Sequence, residues 1–234
     1  MNRSRRFSSI EALNRRVVSC TLCPRLVSFR ARVKPRAAFA AQDYWRRPVP
    51  GFGDLDARLL MIGLAPAKNG GLRTGRIFTG DASSRFLVSA LYLAGFANQP
   101  KSESVDDGLE YRDCYLTAAV KCAPPADKPT AAEFYNCAPY LEAEISLLRN
   151  VESVLALGSF AFRAYLDHLK GHGVVVGDIK FSHGAVFRFE GMPRLYASYH
   201  PSPRNTNTGV LTQEMLVGVL ERIRSDFAPS PKHN

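Results

Sequence analysis

Four short segments of the chain are apolar at nearly every position, and helical patterns separate them. Apolar runs without polar alternation are typical of strands that are buried on both faces. Strands that alternate with helices predict an α/β fold of three layers, in which helices cover both faces of a short, mainly parallel central sheet of about four strands. The predicted strands are residues 57–63, 114–120, 151–157 and 195–199.

The segments around these strands show helical periodicity. Pro139 lies inside one of them, so we expect that helix to kink there or to begin late. A helix is also predicted near the N-terminus, over residues 8–18, and residues 174–190 predict a hairpin with its turn at 182–184. The predicted helices after the first strand are residues 83–95, 131–149, 158–170 and 211–227.

Positive charge is concentrated at the N-terminus. Residues 1–47 hold twelve Lys and Arg against two acidic residues, whereas the remainder holds nineteen of each sign. This asymmetry favours a polyanion partner such as nucleic acid, and the alternative is a solvated, solubilising face. We expect residues 1–50 to form a basic N-terminal extension packed on the body, residues 51–227 a single α/β/α domain, and residues 228–234 a frayed tail.

The composition is that of an ordinary soluble globular protein, with 46% hydrophobic and 22% charged residues. No segment has the roughly 18 uncharged apolar residues that a membrane helix needs, and no apolar segment of signal-peptide length follows the N-terminal arginines. We therefore expect no membrane partner and a cytoplasmic location.

The cysteines predict a metal centre. An odd number of them, five, without a signal peptide argues against a disulfide scaffold. Cys20 and Cys23 form a C-x-x-C pair that can turn toward one centre, and Cys122 and Cys137 supply a second pair near prolines. Four thiolates suit zinc or an iron–sulfur cluster, and the alternative is a set of buried small side chains. Cys114 lies in a strand pattern and is interpreted as core.

Four unusual loops follow the four predicted strands. They read GLAPAKNGG, KCAPP, GSFAF and YHPSPRN in chain order. Because ligands bind outside the carboxyl ends of parallel strands, we expect these loops to form one site at one edge of the sheet.

The first loop is rich in glycine from Gly63 onward, and it carries Lys68, Arg73 and Arg76. Its glycines allow a ligand to approach the backbone closely, and its cations suit an anion. The spacing is that of neither a P-loop nor a dinucleotide-binding loop. Phe78 is an aromatic side chain in this loop, and it could either stack on a base or anchor the loop to the core.

Two further side chains are candidates for chemistry. Asp81 precedes a predicted helix and suits both an N-cap and a catalytic carboxylate, and the cap bonds would keep it ionised. His200 ends a predicted strand and enters a proline-stiffened loop, where a neutral imidazole could donate to a developing anion. The other histidines lie in surface-like contexts, and we expect no role for them: His168, His172, His183 and His233.

The ordered set GLAPA, GGLRTGRIFTGDAS, KCAPP and SYHPSPRN, together with four of the cysteines, resembles the uracil-DNA glycosylase superfamily, most closely its iron–sulfur type 5 (family B) branch. The resemblance spans roughly residues 17–225. It implies a compact α/β/α fold, and it implies a monofunctional enzyme that acts on double-stranded DNA as a monomer, flips out uracil and hydrolyses the N-glycosidic bond, leaving an abasic site. It also implies a nucleoid-associated location, and a [4Fe–4S] cluster bound by Cys20, Cys23, Cys122 and Cys137.

The resemblance further implies roles for individual residues. Phe78 would stack on the flipped base, and His200 would donate to its carbonyl oxygen. Asp81 would either place and activate the attacking water or stabilise the sugar cation by its charge. A second set would line the base pocket: Gly63, Leu64, Ala65 and Ala118. A third set would contact DNA, with Arg204 on phosphate: Lys68, Arg73, Arg76, Ser202, Arg204 and Asn205.

Two departures from related branches bear on specificity. Residues 64–67 hold no ionisable side chain where relatives carry a carboxylate or an amide that handles the water. We therefore expect Asp81 to take over this catalytic role. Ala118 stands where relatives often have an asparagine that reads the pyrimidine edge. Without such readout we expect the site to accept other deaminated bases, such as hypoxanthine or xanthine.

Two alternative functions remain open at the level of sequence. One is a relative that binds damaged DNA without cleaving it. The other is a zinc-dependent nuclease, which would need clustered Asp and His ligands at the strand ends, where the sequence offers Asp81 and His200.

Overall fold

A computed structural model describes residues 7–227 of the chain. The predicted tail at 228–234 and the arginines at positions 3, 5 and 6 lie outside the described residues. Within the described part, no helix is long and apolar enough to cross a membrane.

The centre of the molecule is a six-stranded sheet with the order β1-β3-β2-β4-β6-β5. Its middle four strands are mutually parallel, and a two-residue antiparallel strand is added at each edge. The prediction of about four strands therefore holds for the parallel part and misses the two edge pairs, because two residues are too few to show a periodicity. The strands are β1 (Phe52–Gly53), β2 (Leu59–Gly63), β3 (Cys114–Ala118), β4 (Ser153–Leu157), β5 (Val186–Phe187) and β6 (Arg194–Ser198).

Helices cover both faces of the sheet, which gives the three α/β/α layers. The helices are α1 (Ile10–Val18), α2 (Pro24–Arg32), α3 (Gly71–Thr74), α4 (Ala82–Leu93), α5 (Ala131–Leu147), α6 (Ser159–Gly171), α7 (Pro203–Thr206) and α8 (Gln213–Ser225). Alternate strand residues point to opposite faces. Thus Met61 packs in the core with α4 and α8, whereas Leu60 and Ile62 pack in the core with α1, α5 and α6.

Two local expectations need correction, and one helix was not predicted. α5 begins at Ala131 and continues through Pro139, so the late start is wrong. Proline removes one helical hydrogen bond, but Cys137, Tyr140 and Leu141 are buried around it and hold the helix by packing. The expected hairpin within 174–190 is also wrong, because β5 pairs with β6 instead. Finally, α2 is a helix that the hydrophobic pattern did not indicate.

The strand order places a switch point between β2 and β4. The chain leaves β2 toward β3 on one side, whereas β4 continues to β6 on the other. Loops diverge at such a point and leave a crevice at the carboxyl edge of the sheet. The glycine-rich loop follows β2 there, and the loop that begins at Gly158 follows β4.

Candidate active site

Phe78 and His200 meet at the carboxyl edge of the sheet. Their ring centroids are 6.2 Å apart with the planes inclined by 33°. Gly63, the last residue of β2, lies directly under the Phe78 ring, since a Cβ placed there would be 3.0 Å from Cζ of Phe78. Ala118 at the end of β3 pairs with Gly63 in register and packs in the same core as Phe78. Two of the four loops therefore converge, as the sequence predicts.

Phe78 is held in an unusual backbone conformation. Its φ is +48°, in the left-handed region that bulky residues rarely adopt. Such a conformation persists where the surroundings fix it, and it is found preferentially at functional sites. The residue is 9% exposed and packs in the core, so Phe78 anchors the loop, and stacking on a base stays a prediction. Both interpretations of this residue are compatible with its position.

Asp81 caps helix α4. Its Oδ1 accepts a hydrogen bond from the backbone N–H of Ser84 at 2.8 Å, and the Ser84 hydroxyl lies 2.9 Å from the backbone N of Asp81, which forms a reciprocal capping box. Burial nevertheless raises the pKa of Asp81 above its ordinary value, although the bonds with Ser84 and Ser83 and the charge of Arg85 act in the opposite direction. The cap bonds favour the ionised carboxylate, as expected, but desolvation outweighs them in the net shift of the pKa.

The second carboxylate oxygen of Asp81 packs against the backbone of Gly70. A Cβ at position 70 would lie 2.1 Å from Oδ2 of Asp81. Only a residue without a side chain fits there, so this glycine fixes the distance between the carboxylate and the loop that follows β2. Asp81 and Phe78 thus belong to one loop that is folded back onto the end of β2.

His200 lies at the start of the loop that follows β6. Its backbone carbonyl accepts hydrogen bonds from the side-chain amide of Asn205 at 2.8 Å and from the backbone N–H of Ser202 at 2.7 Å. Gly158, at the end of β4, faces Cβ of His200. Burial lowers the pKa of His200 to about 4. The imidazole is therefore neutral at pH 7, and it can donate a hydrogen bond without carrying a charge.

Arg73 is an internal residue, which contradicts its expected contact with DNA. Its guanidinium donates to the carbonyl of Gly80 at 2.9 Å, to the carbonyl of Asn69 at 2.9 Å and to Oε1 of Gln42 at 2.7 Å. It also stacks over the ring of Phe39 at 4.2 Å. Since these donors are used within the protein, Arg73 stabilises the loop and does not bind a phosphate.

Arg76 is a second correction of the same kind. It is 5% exposed and forms an ion pair with Asp107 at 2.7 Å. Its Nε donates to Oγ1 of Thr79 at 2.9 Å, and its Nη2 donates to the hydroxyl of Ser102 at 3.0 Å. A buried guanidinium needs partners of this kind. The sequence did not indicate these partners because Ser102 and Asp107 lie more than 20 residues away along the chain.

The remaining expected DNA contacts lie at the surface of the two loops. Lys68 and Arg204 are exposed, whereas Ser202 and Asn205 are half-buried. The side-chain amide of Asn205 is engaged with the backbone carbonyl of His200, so it holds the backbone that carries the imidazole. In the expected base pocket, Leu64 and Ala65 are half-buried next to Gly63.

The four expected metal-ligating cysteines line one small cavity, and all are free thiols. Cys20 lies just after α1, Cys23 caps α2, Cys122 follows β3, and Cys137 lies on α5. Pro24 is the first residue of α2, where its fixed φ favours the start of the helix directly after Cys23. The fifth cysteine, Cys114, is fully buried in the core.

Three of the four sulfurs receive N–H groups. Nη1 of Arg30 lies 3.3 Å from Sγ of Cys122, the amide nitrogen of Asn136 lies 3.5 Å from Sγ of Cys23, and the backbone N of Lys121 lies 3.5 Å from Sγ of Cys137. Hydrogen bonds to sulfur are a common feature of iron–sulfur sites. The residues therefore fit a thiolate-bound cluster, which would join α1, α2, the β3 loop and α5.

The requirement of the zinc-nuclease alternative is not met by residues 7–227. Within this range no group of three or more His, Cys, Asp or Glu side chains is arranged to hold a single metal ion. Asp81 is engaged in its helix cap, and His200 packs against Phe78. At the carboxyl edge, the aromatic ring of Phe78 and the imidazole of His200 are in contact, and the Asp81 carboxylate lies in the loop that carries Phe78.

Comparison with known proteins gives a consistent result. A family model described as the uracil DNA glycosylase superfamily matches residues 50–224. The chain is 52% identical to a type-5 uracil-DNA glycosylase of Pyrobaculum aerophilum, over 90% of both chains. It is 48% identical to the type-5 enzyme of Thermus thermophilus, over 90% of this chain and 94% of that protein. A type-4 uracil-DNA glycosylase of Thermotoga maritima is 26% identical over 92% of this chain and 93% of that protein.

The matched region contains the whole sheet and the loops that carry Phe78, Asp81 and His200, and the similarity to the type-5 proteins extends over most of the chain. The chain therefore belongs to the uracil-DNA glycosylase superfamily, and within it to the type-5 group.

Proposed function

We propose that this protein is a DNA glycosylase that excises uracil from double-stranded DNA by hydrolysing the N-glycosidic bond and leaving an abasic site. The observation that carries the proposal is the contact between Phe78 and the neutral His200 at the carboxyl edge of the sheet, with Asp81 three residues after Phe78 in the same loop. The type-5 relatives are named for this activity. We propose that its substrate is deaminated DNA in the cytoplasm. We also propose that the chain acts as a monomer.

The first step is extrusion of the uracil from the duplex. Unstacking costs a few kcal/mol and is cheapest for a mismatched pair such as G·U. The ring of Phe78 is available at the sheet end to stack on the extruded base. The loop from Ser202 to Asn205, with the exposed Arg204, lies next to His200 and is placed to contact the DNA backbone.

Bond cleavage develops negative charge on the departing uracil. His200 is neutral and its backbone is held by Asn205 and Ser202. A preorganised neutral donor stabilises developing charge without reorganisation of solvent. His200 therefore donates to the carbonyl oxygen of the base as the C1′–N1 bond lengthens, and the electron pair of that bond leaves with the base.

Asp81 acts on the sugar side of the same bond. Its ionised form stabilises the oxocarbenium character of the sugar, and it orients the water whose oxygen forms the new bond to C1′. The water loses its proton to the carboxylate. Since residues 64–67 offer no other ionisable group, this role falls to Asp81.

We further propose a [4Fe–4S] cluster on Cys20, Cys23, Cys122 and Cys137. When bound, such a cluster supplies a rigid cross-link and takes no part in the hydrolysis. Val120 and Cys122 follow β3 directly, and Ala65 packs against the same cysteine-lined group of side chains. Cross-linking these segments would fix the loops that bear the base pocket.

We propose that the site accepts more than one deaminated base. Ala118 presents a methyl group next to Phe78, so it offers no amide to pair with one base edge. A site without a polar reader rejects alternative bases weakly. We propose that hypoxanthine and xanthine are excised as well.

Excision from a duplex with a single G·U pair tests the proposed activity. Protein in excess over DNA, followed by alkali, is expected to give a strand break at the uracil position, and a G·C duplex serves as the control. Retention of the duplex on a gel without any strand break would instead establish the alternative of a binding protein that does not cleave. Duplexes with hypoxanthine or xanthine at the same position test the specificity.

A further inference from the structure

His183 contacts the segment that carries His200. It lies in the turn before β5, and its Nδ1 is 3.3 Å from the backbone N of Tyr199. The rings of His183 and Tyr199 stack at 5.2 Å with an angle of 28°. The sequence had indicated a surface histidine without a role, because the partner lies 16 residues further along the chain.

The position of His183 is fixed by the sheet. The backbone N–H of Gly184 donates to the carbonyl of Ala197 at 2.8 Å, and the N–H of Ala197 donates to the carbonyl of Ala185 at 3.0 Å. These bonds continue the β5–β6 pairing to the end of β6. The imidazole is therefore presented to Tyr199 by a rigid edge of the sheet.

The hydrogen bonds require an unprotonated Nδ1. The Ser198 hydroxyl, also 3.3 Å from Nδ1, can donate to the carbonyl of Tyr199 at 3.0 Å. The N–H of Tyr199 can only donate, so Nδ1 accepts from it. The carbonyl of Met215 hydrogen-bonds to the same imidazole, which accounts for the proton on the other nitrogen. A protonated Nδ1 would place two donors against each other.

This contact holds the peptide immediately before His200. The carbonyl of His200 is held by Asn205 and Ser202 on the other side. The backbone of His200 is thus held from both directions, and its ring packs beside Phe78.

We propose that His183 is a positioning residue for His200: by accepting the Tyr199 N–H, it sets the direction of the imidazole that donates to the departing base. The inference rests on the proposed function, and it goes beyond it by assigning a role to a residue outside the base pocket. Burial also lowers the pKa of His183, which keeps the accepting form.

Two substitutions separate the hydrogen bond from the ring stack. His183→Asn retains an acceptor at the position of Nδ1 and loses the ring, whereas His183→Phe retains the ring and loses the acceptor. We expect His183→Phe to lower the single-turnover excision rate by about 10-fold or more, since small displacements of catalytic groups have effects of this size. His183→Asn should stay within about threefold of wild type, and DNA binding should change little in either. His172→Asn, at the exposed end of α6, is the matched control.

A double-mutant cycle with His200→Ala identifies the route of the effect. If His183 acts through His200, then His183→Phe should cause no further loss in the His200→Ala background. An equal loss in both backgrounds, or a wild-type rate for His183→Phe, would overturn the proposal while leaving the excision activity established.

A measurement without catalysis completes the test. In protein labelled with ¹⁵N-histidine, His183→Phe should shift the ring resonances of His200, whereas His172→Asn should not. Unchanged His200 resonances would overturn the inference even if the wild-type protein failed to excise uracil.

Discussion

In the proposed mechanism Asp81 has two roles, a helix cap and a catalytic carboxylate, and the geometry allows them to be separated. One oxygen caps α4 through Ser84, and the other faces Gly70. A neutral amide caps a helix about as well as a carboxylate, but it cannot stabilise a cationic sugar or accept a proton from water. A substitution by asparagine therefore distinguishes the structural role from the catalytic one.

Asp81→Asn should retain the thermal midpoint of wild type and lose about 10²- to 10⁴-fold in single-turnover excision. It removes a buried charge whose desolvation raises the pKa, so stability should not fall. Circular dichroism and excision kinetics measure the two effects. A wild-type rate in this variant would remove Asp81 from the mechanism.

The pH dependence of excision should report the same carboxyl. Because burial raises the pKa of Asp81, the rate should fall with decreasing pH at a higher pH than an ordinary aspartate would give. The pKa of His200 is about 4, so this imidazole gains its proton only at the acid end of the pH range. This fall of the rate on the acid side of the pH profile should be absent from the residual activity of Asp81→Asn. An unchanged fall in that variant would assign it to another group.

Gly70 offers a test of how finely the carboxylate is placed. Gly70→Ala would put a Cβ 2.1 Å from Oδ2 of Asp81, so the carboxylate or the loop must move. We expect a loss of about 10- to 100-fold in the excision rate with DNA binding nearly retained. Gly218→Ala, where a Cβ meets nothing within 4 Å, is the control, and equal rates in the two variants would contradict the close approach.

At the scale of elements, the cysteine-lined cavity joins parts of the chain that are far apart in sequence. Arg30 on α2 donates to Cys122 at 3.3 Å and to the carbonyl of Cys20 at 3.1 Å. Arg25, also on α2, pairs with Glu133 on α5 at 2.7 Å. The protein alone therefore brings α2, α5 and the β3 loop together, and a cluster would lock an arrangement that already exists.

Cys20→Ser should lower the iron content and the soluble yield more than it lowers the excision rate of the protein that remains loaded. Iron and sulfide analysis with visible absorption measures the first effect. Cys114→Ala is the matched control, since Cys114 is buried in the core, and it should keep full iron content even if it loses stability. Full occupancy in Cys20→Ser would contradict the assignment of this ligand.

At the scale of the whole molecule, the basic N-terminal segment is only partly available to DNA. Arg30 is buried against the cysteines, and Nη1 of Arg46 donates to the carbonyls of Ala31 and Val33 at 2.9 and 2.8 Å. Lys34, Arg36 and Arg47 are exposed. The excess charge therefore serves two purposes: some of it builds the structure, and the exposed part can attract the phosphate backbone.

Salt dependence should distinguish the cations of the site from those elsewhere. Lys68→Gln and Arg204→Gln should each weaken duplex binding and reduce the slope of log K against log salt by about one. Arg149→Gln should leave the slope unchanged, because this exposed residue lies between α5 and β4 at the opposite edge of the sheet. If the slope kept its wild-type value in all three variants, the DNA would bind to another surface of the protein.

The sequence by itself determined the four parallel strands and the edge of the sheet at which Phe78 and His200 meet, because apolar runs and loop composition are local signals. It could not assign Arg73, Arg76 or His183. A cation or an imidazole has the same local signature whether it faces a phosphate or a carbonyl within the protein. Tertiary structure decided these cases, because folding brings in the partners that a buried polar group needs. It also decided the direction in which the pKa of Asp81 shifts, since desolvation depends on everything packed around the carboxyl and not only on its neighbours in the chain.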